Sequence, residues 1–147
     1  MDGLRAFVLT IIGITGGFIT TLFGGWSTAL TTLIIVMAVD YISGLAVAGI
    51  FKKSPKSKTG ALESKAGWAG LFRKGMTLLI VLIAYRLDLA VGTTFIKDAV
   101  IIAYITNETV SITENAGLMG VPIPPPLKKA IDILKQKTEE EDSSNGK

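Results

Sequence analysis

The chain contains neither histidine nor cysteine. Their absence removes the thiolate nucleophile, the Ser-His-Asp triad, the disulfide and the commonest transition-metal ligands. Serine, lysine and carboxylates remain, and no nucleophile motif gathers them, so neither an enzyme nor a cofactor or metal site is expected. What the residues offer is charge in unusual places. Asp40, Arg86, Asp88, Glu108 and Glu114 each stand in an otherwise apolar stretch. Ser111 and Asn115 extend a polar stripe from Glu108, with Tyr104 one turn earlier. Asp40 shares a helix face with Gly44 and Ala48, at i, i+4 and i+8, so small neighbours let another helix approach its carboxylate. Arg86 and Asp88 are two apart and do not face each other. Arg86, the only basic residue inside these stretches, is a candidate partner for one of the acids. Exposed to lipid as charges, the five groups would cost on the order of 10–15 kcal/mol. They must be protonated, paired, placed near headgroups or turned toward water. One reading is a paired internal network or snorkelling. The other is a set of groups lining a lumen or an oligomer contact.

The elements that must position these residues follow from composition. Of 147 residues, 49% are apolar and 18% charged, with a net charge of +3. Soluble domains carry about 25% charge. From Ala6 to Val39, 34 consecutive residues include no Asp, Glu, Lys or Arg. That run excludes a disordered chain and points to an all-α, polytopic membrane protein. As one helix it would extend roughly 50 Å against a hydrocarbon core of about 30 Å, so it folds back on itself. Gly24-Gly25-Trp26-Ser27 is the natural break. Segment one then covers about residues 4–23 and segment two about 28–51. Segment one reads as a membrane segment rather than a cleaved leader. Residues 52–74 follow as a basic stretch, with Lys52, Lys53, Lys56, Lys58, Lys65, Arg73 and Lys74 against the single acid Glu63. Its second half, around Trp68 and Phe72, suits the membrane interface. Segments three and four cover about 75–96 and 99–118. Pro122, Pro124, Pro125 and Pro126 stop the fourth. A short amphipathic helix with Leu127, Ile131 and Leu134 on one side follows, and the tail from Thr138 is expected to be disordered.

Insertion energetics grade the segments. With about −0.5 kcal/mol per Leu, Ile, Phe or Val and about +3 for a central charge, segment one inserts readily and segment two by roughly 2 kcal/mol. Segment three lands near zero and segment four is unfavourable alone. Four spans are expected, with three as the alternative. Positive-inside orientation puts the basic loop in the cytoplasm, which places both termini there and the Lys97-Asp98 turn outside. The expected division is a membrane domain over 1–127 and a charged cytoplasmic tail over 128–147. Segment one also carries Gly13-x-x-x-Gly17 in a stripe of small residues, suited to close helix packing. Its partner is either segment two of the same chain or another copy; Gly44 offers a similar approach on segment two.

Several strings add a resemblance. They are Val39-Asp40-Tyr41-Ile42-Ser43-Gly44, the run from Glu63 through Trp68 to Arg73-Lys74, Asn107-Glu108-Thr109-Val110-Ser111-Ile112-Thr113-Glu114-Asn115, and Gly120-Val121-Pro122-Ile123-Pro124. Taken in order, they resemble the phage holin family, which also includes clostridial toxin-secretion holins. The likeness runs from about Leu30 to Leu134. It implies a lysis-timing protein of the host cytoplasmic membrane. Such a protein accumulates harmlessly, self-associates, and then opens lesions that free or activate an endolysin, or export a toxin. It implies homo-oligomers, the bilayer and an antiholin as partners, with endolysin a functional partner that need not touch it and no role for nucleic acid. On residues alone, a small cation-coupled multidrug transporter and a non-lytic antiholin or membrane scaffold remain open. Transporters of that kind usually place their key acid in the first helix, and segment one has none.

Overall fold

The computed structural model describes residues 1–145, with side chains through Glu140. The described residues form five helices and no strand: α1 (Asp2–Leu22), α2 (Thr28–Gly49), α3 (Ser64–Val91), α4 (Ile96–Leu118) and α5 (Pro125–Asn145). The all-α expectation holds.

The break after segment one falls where the glycines place it. Gly24 and Gly25 adopt φ of +74° and +96°, and their N–H groups donate to the carbonyls of Thr21 and Thr20 at 3.1 and 3.0 Å. This left-handed exit is open to glycine and closed to most other residues. A Cβ at Gly24 would also overlap the Tyr85 ring of α3. Ser27 restarts the chain as N-cap of α2, its hydroxyl accepting from the Leu30 N–H at 3.1 Å.

Leu30, Leu33 and Met37 fall on one face of α2 at i, i+3 and i+7 and pack with Val81 of α3 and Ile101 of α4. This apolar cluster occupies the end of the bundle that holds the α1–α2 and α3–α4 turns. Helix α4 packs most extensively on α2, then on α3 and α5. Helix α1 stands apart: none of its residues is buried, and Met1 through Ile19 are all exposed. By length and composition, α1 and α2 are apolar enough to cross a membrane.

Two expectations are corrected. Segment three is expected over 75–96 with a turn at Lys97-Asp98, but α3 ends at Val91 and α4 starts at Ile96, so the turn falls at 92–95, where Gly92 takes φ +77°, and Lys97 and Asp98 lie in the first turn of α4. Helix α3 also starts at Ser64, eleven residues before Gly75. Gly67 and Gly70 weaken this stretch as an isolated helix, and tertiary contact offsets that. Tyr41 of α2 lies against both glycines, and its hydroxyl donates to the Gly67 carbonyl at 3.4 Å. Trp68 and Phe72, four apart with ring centroids 6.4 Å from each other, therefore ride on α3. The second correction concerns the C-terminus. The helix after the prolines is 21 residues long and continues through Thr138 to Asn145 instead of ending in a disordered tail. No Gly or Pro interrupts it, and Lys135/Glu139 and Gln136/Glu140 have supportive i, i+4 spacing. The Thr138 hydroxyl donates to the Leu134 carbonyl at 3.0 Å. The expected tail also included Gly146 and Lys147, which lie outside the described residues.

Candidate functional site

Asp40 lies nine residues before the end of α2, Lys74 ten residues into α3, and Glu108 ten residues before the end of α4. Antiparallel packing brings these three positions to one level. The Lys74 ammonium sits between the two carboxylates, 2.8 Å from Asp40 Oδ2 and also paired with Glu108 Oε2. The side chains are only 14% (Lys74), 9% (Asp40) and 10% (Glu108) exposed. Asn115, two turns further along the same face of α4, donates through Nδ2 to Asp40 Oδ1 at 3.2 Å and to Ser43 Oγ at 2.8 Å. Gly44 lies close to this amide: a Cβ there would meet Asn115 Nδ2 at 3.8 Å. Three helices are thus joined through one ammonium.

The network opens on a cavity of about 420 Å³ between α2, α3, α4 and the basic loop. Asp40, Lys74, Glu108, Ser111 and Tyr104 line its inner part, and Lys56 and Ser57 its loop side. With two carboxylates to one ammonium, the triad carries a formal charge of −1 when all three groups are ionised. Its pairs lie in surroundings where charge is weakly screened, so removing one partner is far more disruptive than at a surface.

Asp88 belongs to a different arrangement. It is buried at the end of α3, and its two oxygens accept from the Ile96 and Lys97 N–H groups, at 3.0 and 2.8 Å, and from the Thr93 hydroxyl at 2.6 Å. An acid on one helix thereby caps the start of the next. Lys97 completes this corner. Its ammonium donates to the Phe23 carbonyl at 3.3 Å and stands 5.2 Å from the centre of the Tyr85 ring. That contact ties the start of α4 to the α1–α2 turn.

Of the residues singled out in the sequence, Asp40, Gly44, Glu108, Ser111 and Asn115 therefore converge. Arg86 and Glu114 are exposed and make no ion pair among the described residues. Gly13 and Gly17 face open space on α1. Lys52, Lys53, Lys56 and Lys58 lie in the loop, while Lys65 and Arg73 are exposed on the first turns of α3. The acids' partner is Lys74, not Arg86. Sequence reasoning missed it because a segment beginning at Gly75 leaves Lys74 outside by one residue. The available signal was spacing: Lys74 is 34 residues from both Asp40 and Glu108.

Comparison with known proteins agrees with the motif resemblance and extends it toward the N-terminus. The family model for bacteriophage holins matches residues 17–136. An uncharacterized protein of Halalkalibacterium halodurans is 39% identical over 123 residues, covering 80% of this chain and 85% of its own length. An uncharacterized 14.9 kDa protein of Clostridium perfringens is 38% identical over 139 residues, or 93% of this chain and 99% of its own. A probable holin of Bacillus phage phi105 is 30% identical over 122 residues, covering 80% and 84% of the two chains. No solved structure matches the chain. With most of its length matched, and with two helices apolar enough to cross a bilayer, the chain belongs to the bacteriophage holin family.

Proposed function

We propose that this chain is a timed holin that crosses the host cytoplasmic membrane four times, through α1, α2, α3 and α4. Residues 1–127 form the membrane domain and 128–147 a cytoplasmic tail. Both termini and the basic loop face the cytoplasm, and the corner at Lys97 faces out. The chain gathers in the membrane, self-associates, and opens lesions through which an endolysin reaches the cell wall, or a toxin leaves.

The observation that carries this reading is the triad. Segment three is marginal and segment four unfavourable as an isolated helix, yet their costly groups find partners within the bundle. Lys74 pairs with both Asp40 and Glu108, leaving one negative charge shared across the triad, and the start of α4 satisfies Asp88. Arg86 lies five residues before Val91 and Glu114 four before Leu118, about 8 and 6 Å of helix, within snorkelling reach of opposite headgroup layers. The four helices therefore suit a membrane together, where α3 alone is marginal and α4 alone is unfavourable.

Helix α1 supports the associating role. Its small-residue stripe, with Gly13 and Gly17, is left bare by its own chain and is available to another copy. The hydroxyls of Thr10, Thr20 and Thr21 donate to carbonyls of α1 itself, at 2.8, 2.7 and 2.7 Å, so they bring no unmade hydrogen bond into lipid.

Inducible expression in a bacterium carrying a cytoplasmic reporter enzyme and a potential-sensitive dye tests the proposal. Abrupt loss of potential at a reproducible time is expected, with reporter release marking large lesions. Cells that hold their potential while the protein accumulates in the membrane would rule it out.

A further inference from the structure

Helix α5 lies where a membrane would not tolerate it. After Leu118 the chain turns through Gly120, at φ +81°, and the Pro122-Ile123-Pro124 stretch, and α5 then runs back along α4. The Thr138 and Thr106 hydroxyls approach to 3.5 Å, and Ile131 is only 7% exposed. Thr106 is twelve residues before Leu118, about 18 Å of helix, and Thr138 is thirteen residues after Pro125, about 20 Å. The two helices therefore pair antiparallel to that depth. A bilayer core is about 30 Å thick, so in a spanning α4 the Thr106–Thr138 contact falls near its middle. Lys135, Lys137, Glu139 and Glu140 are exposed around that contact. Placed in hydrocarbon, such a set of charges drives the helix out. Placed against water, the same seat is free of that penalty, and it buries Ile131.

We propose that α5 is a releasable strap, seated on α4 where that side of α4 faces water and withdrawn from it where it faces lipid. The inference rests on the reading of α4 as a membrane span. The hinge is the stretch from Met119 to Pro124, where Gly120 supplies the left-handed turn and the prolines prevent α4 from continuing into α5. In dispersed molecules the side of α4 that faces away from α2 and α3 meets lipid, and α5 lies out on the cytoplasmic side. When a lesion opens, the α4 face turns to water and α5 closes onto it. The seated helix then brings Lys135, Lys137, Glu139 and Glu140 to the wall of the opening.

Absence of cysteine from the chain makes the contact testable. Thr106→Cys/Thr138→Cys is expressed from an inducible promoter and sampled with a mild oxidant before and after the potential collapses. Crosslinking is expected to rise about tenfold or more at that moment, as a population shift requires. Equal crosslinking before and after, or none after, overturns the strap. The unsubstituted protein gives a second reading free of folding artefacts. In inverted vesicles prepared before collapse, trypsin is expected to cut readily at Lys135 and Lys137, and after collapse cutting there is expected to slow about tenfold or more, because a helix packed on α4 does not unfold readily into a protease cleft. Cleavage that does not change overturns the strap as well. Thr94→Cys, in the α3–α4 turn, separates the two levels of failure. If an impermeant maleimide labels it from outside while crosslinking stays constant, the strap fails and the span reading stands. If it is labelled only from inside, the span reading fails and the strap with it.

Discussion

The two ends of the helical bundle are held by opposite kinds of force. At the end with the two tight turns, Leu30, Leu33, Met37, Val81 and Ile101 make a dry apolar cluster. At the loop end, Asp40, Lys74, Glu108 and Asn115 make a polar one. In water the first would dominate stability. In a bilayer the ranking inverts, because lipid tails solvate leucine about as well as another helix does. Separating the dry end then loses only packing. Separating the polar end exposes ionised groups to hydrocarbon, which is far more costly. In lipid the loop end is therefore the clamp and the turn end the filler, although burial alone would suggest the reverse.

Substitutions can break or sharpen this comparison. The largest effect is expected for Lys74→Met, which leaves two buried carboxylates facing each other. About 3–5 kcal/mol of helix association should be lost, read as a large drop in melting temperature in detergent micelles and a grossly altered lysis time. Adding Asp40→Asn and Glu108→Gln to Lys74→Met should restore much of the stability, because no orphaned charge remains. Next comes Leu33→Ala, at a position with no exposure. In water such a change costs about 2–5 kcal/mol. In bilayers it should cost clearly less than Lys74→Met, and a larger cost in vesicle-based unfolding would overturn the inversion. Asp40→Asn alone should be milder, about 1–2 kcal/mol, since Lys74 keeps Glu108 as a one-to-one partner. It should shift lysis time at equal expression without preventing insertion, and unchanged timing would show that Asp40 has no part in setting it. The smallest effect is expected from ending the chain after Lys137, which leaves both clusters intact. Lethality should persist, and an inert product would place an essential element in the last ten residues.

What could be seen in advance follows the range of the forces involved. The turn at Gly24-Gly25 and the stop at Pro122 are local effects of backbone sterics, and the sequence displays them directly. The face shared by Asp40 and Gly44 is likewise visible in the helical repeat. The start of α3 was hidden because Gly67 and Gly70 signal a loop until Tyr41, on another helix, lies against them. Once that start is misplaced, Lys74 passes for one more orientation-setting cation. Asp88 stands out as a costly charge in the sequence, but its partners depend on where α4 begins, which is a tertiary fact. The length of α5 is masked by its acidic composition, which suggests a solvated tail although uninterrupted helix-forming sequence carries the helix on to Asn145. The fold class and most members of the site were therefore legible, whereas the cation that joins them was not.

The corner where Gly24 lies under Tyr85 has a mechanical consequence. Helix α1, 21 residues or about 32 Å long, touches little along its shaft, while its root is pressed against an aromatic ring and its last turns are pinned by the Phe23 carbonyl to Lys97. Such an arm is a lever with a fixed fulcrum. Torque applied along the shaft would arrive at a single point, beside the first turn of α4, so in the proposed membrane assembly congestion would be converted into strain on the bundle.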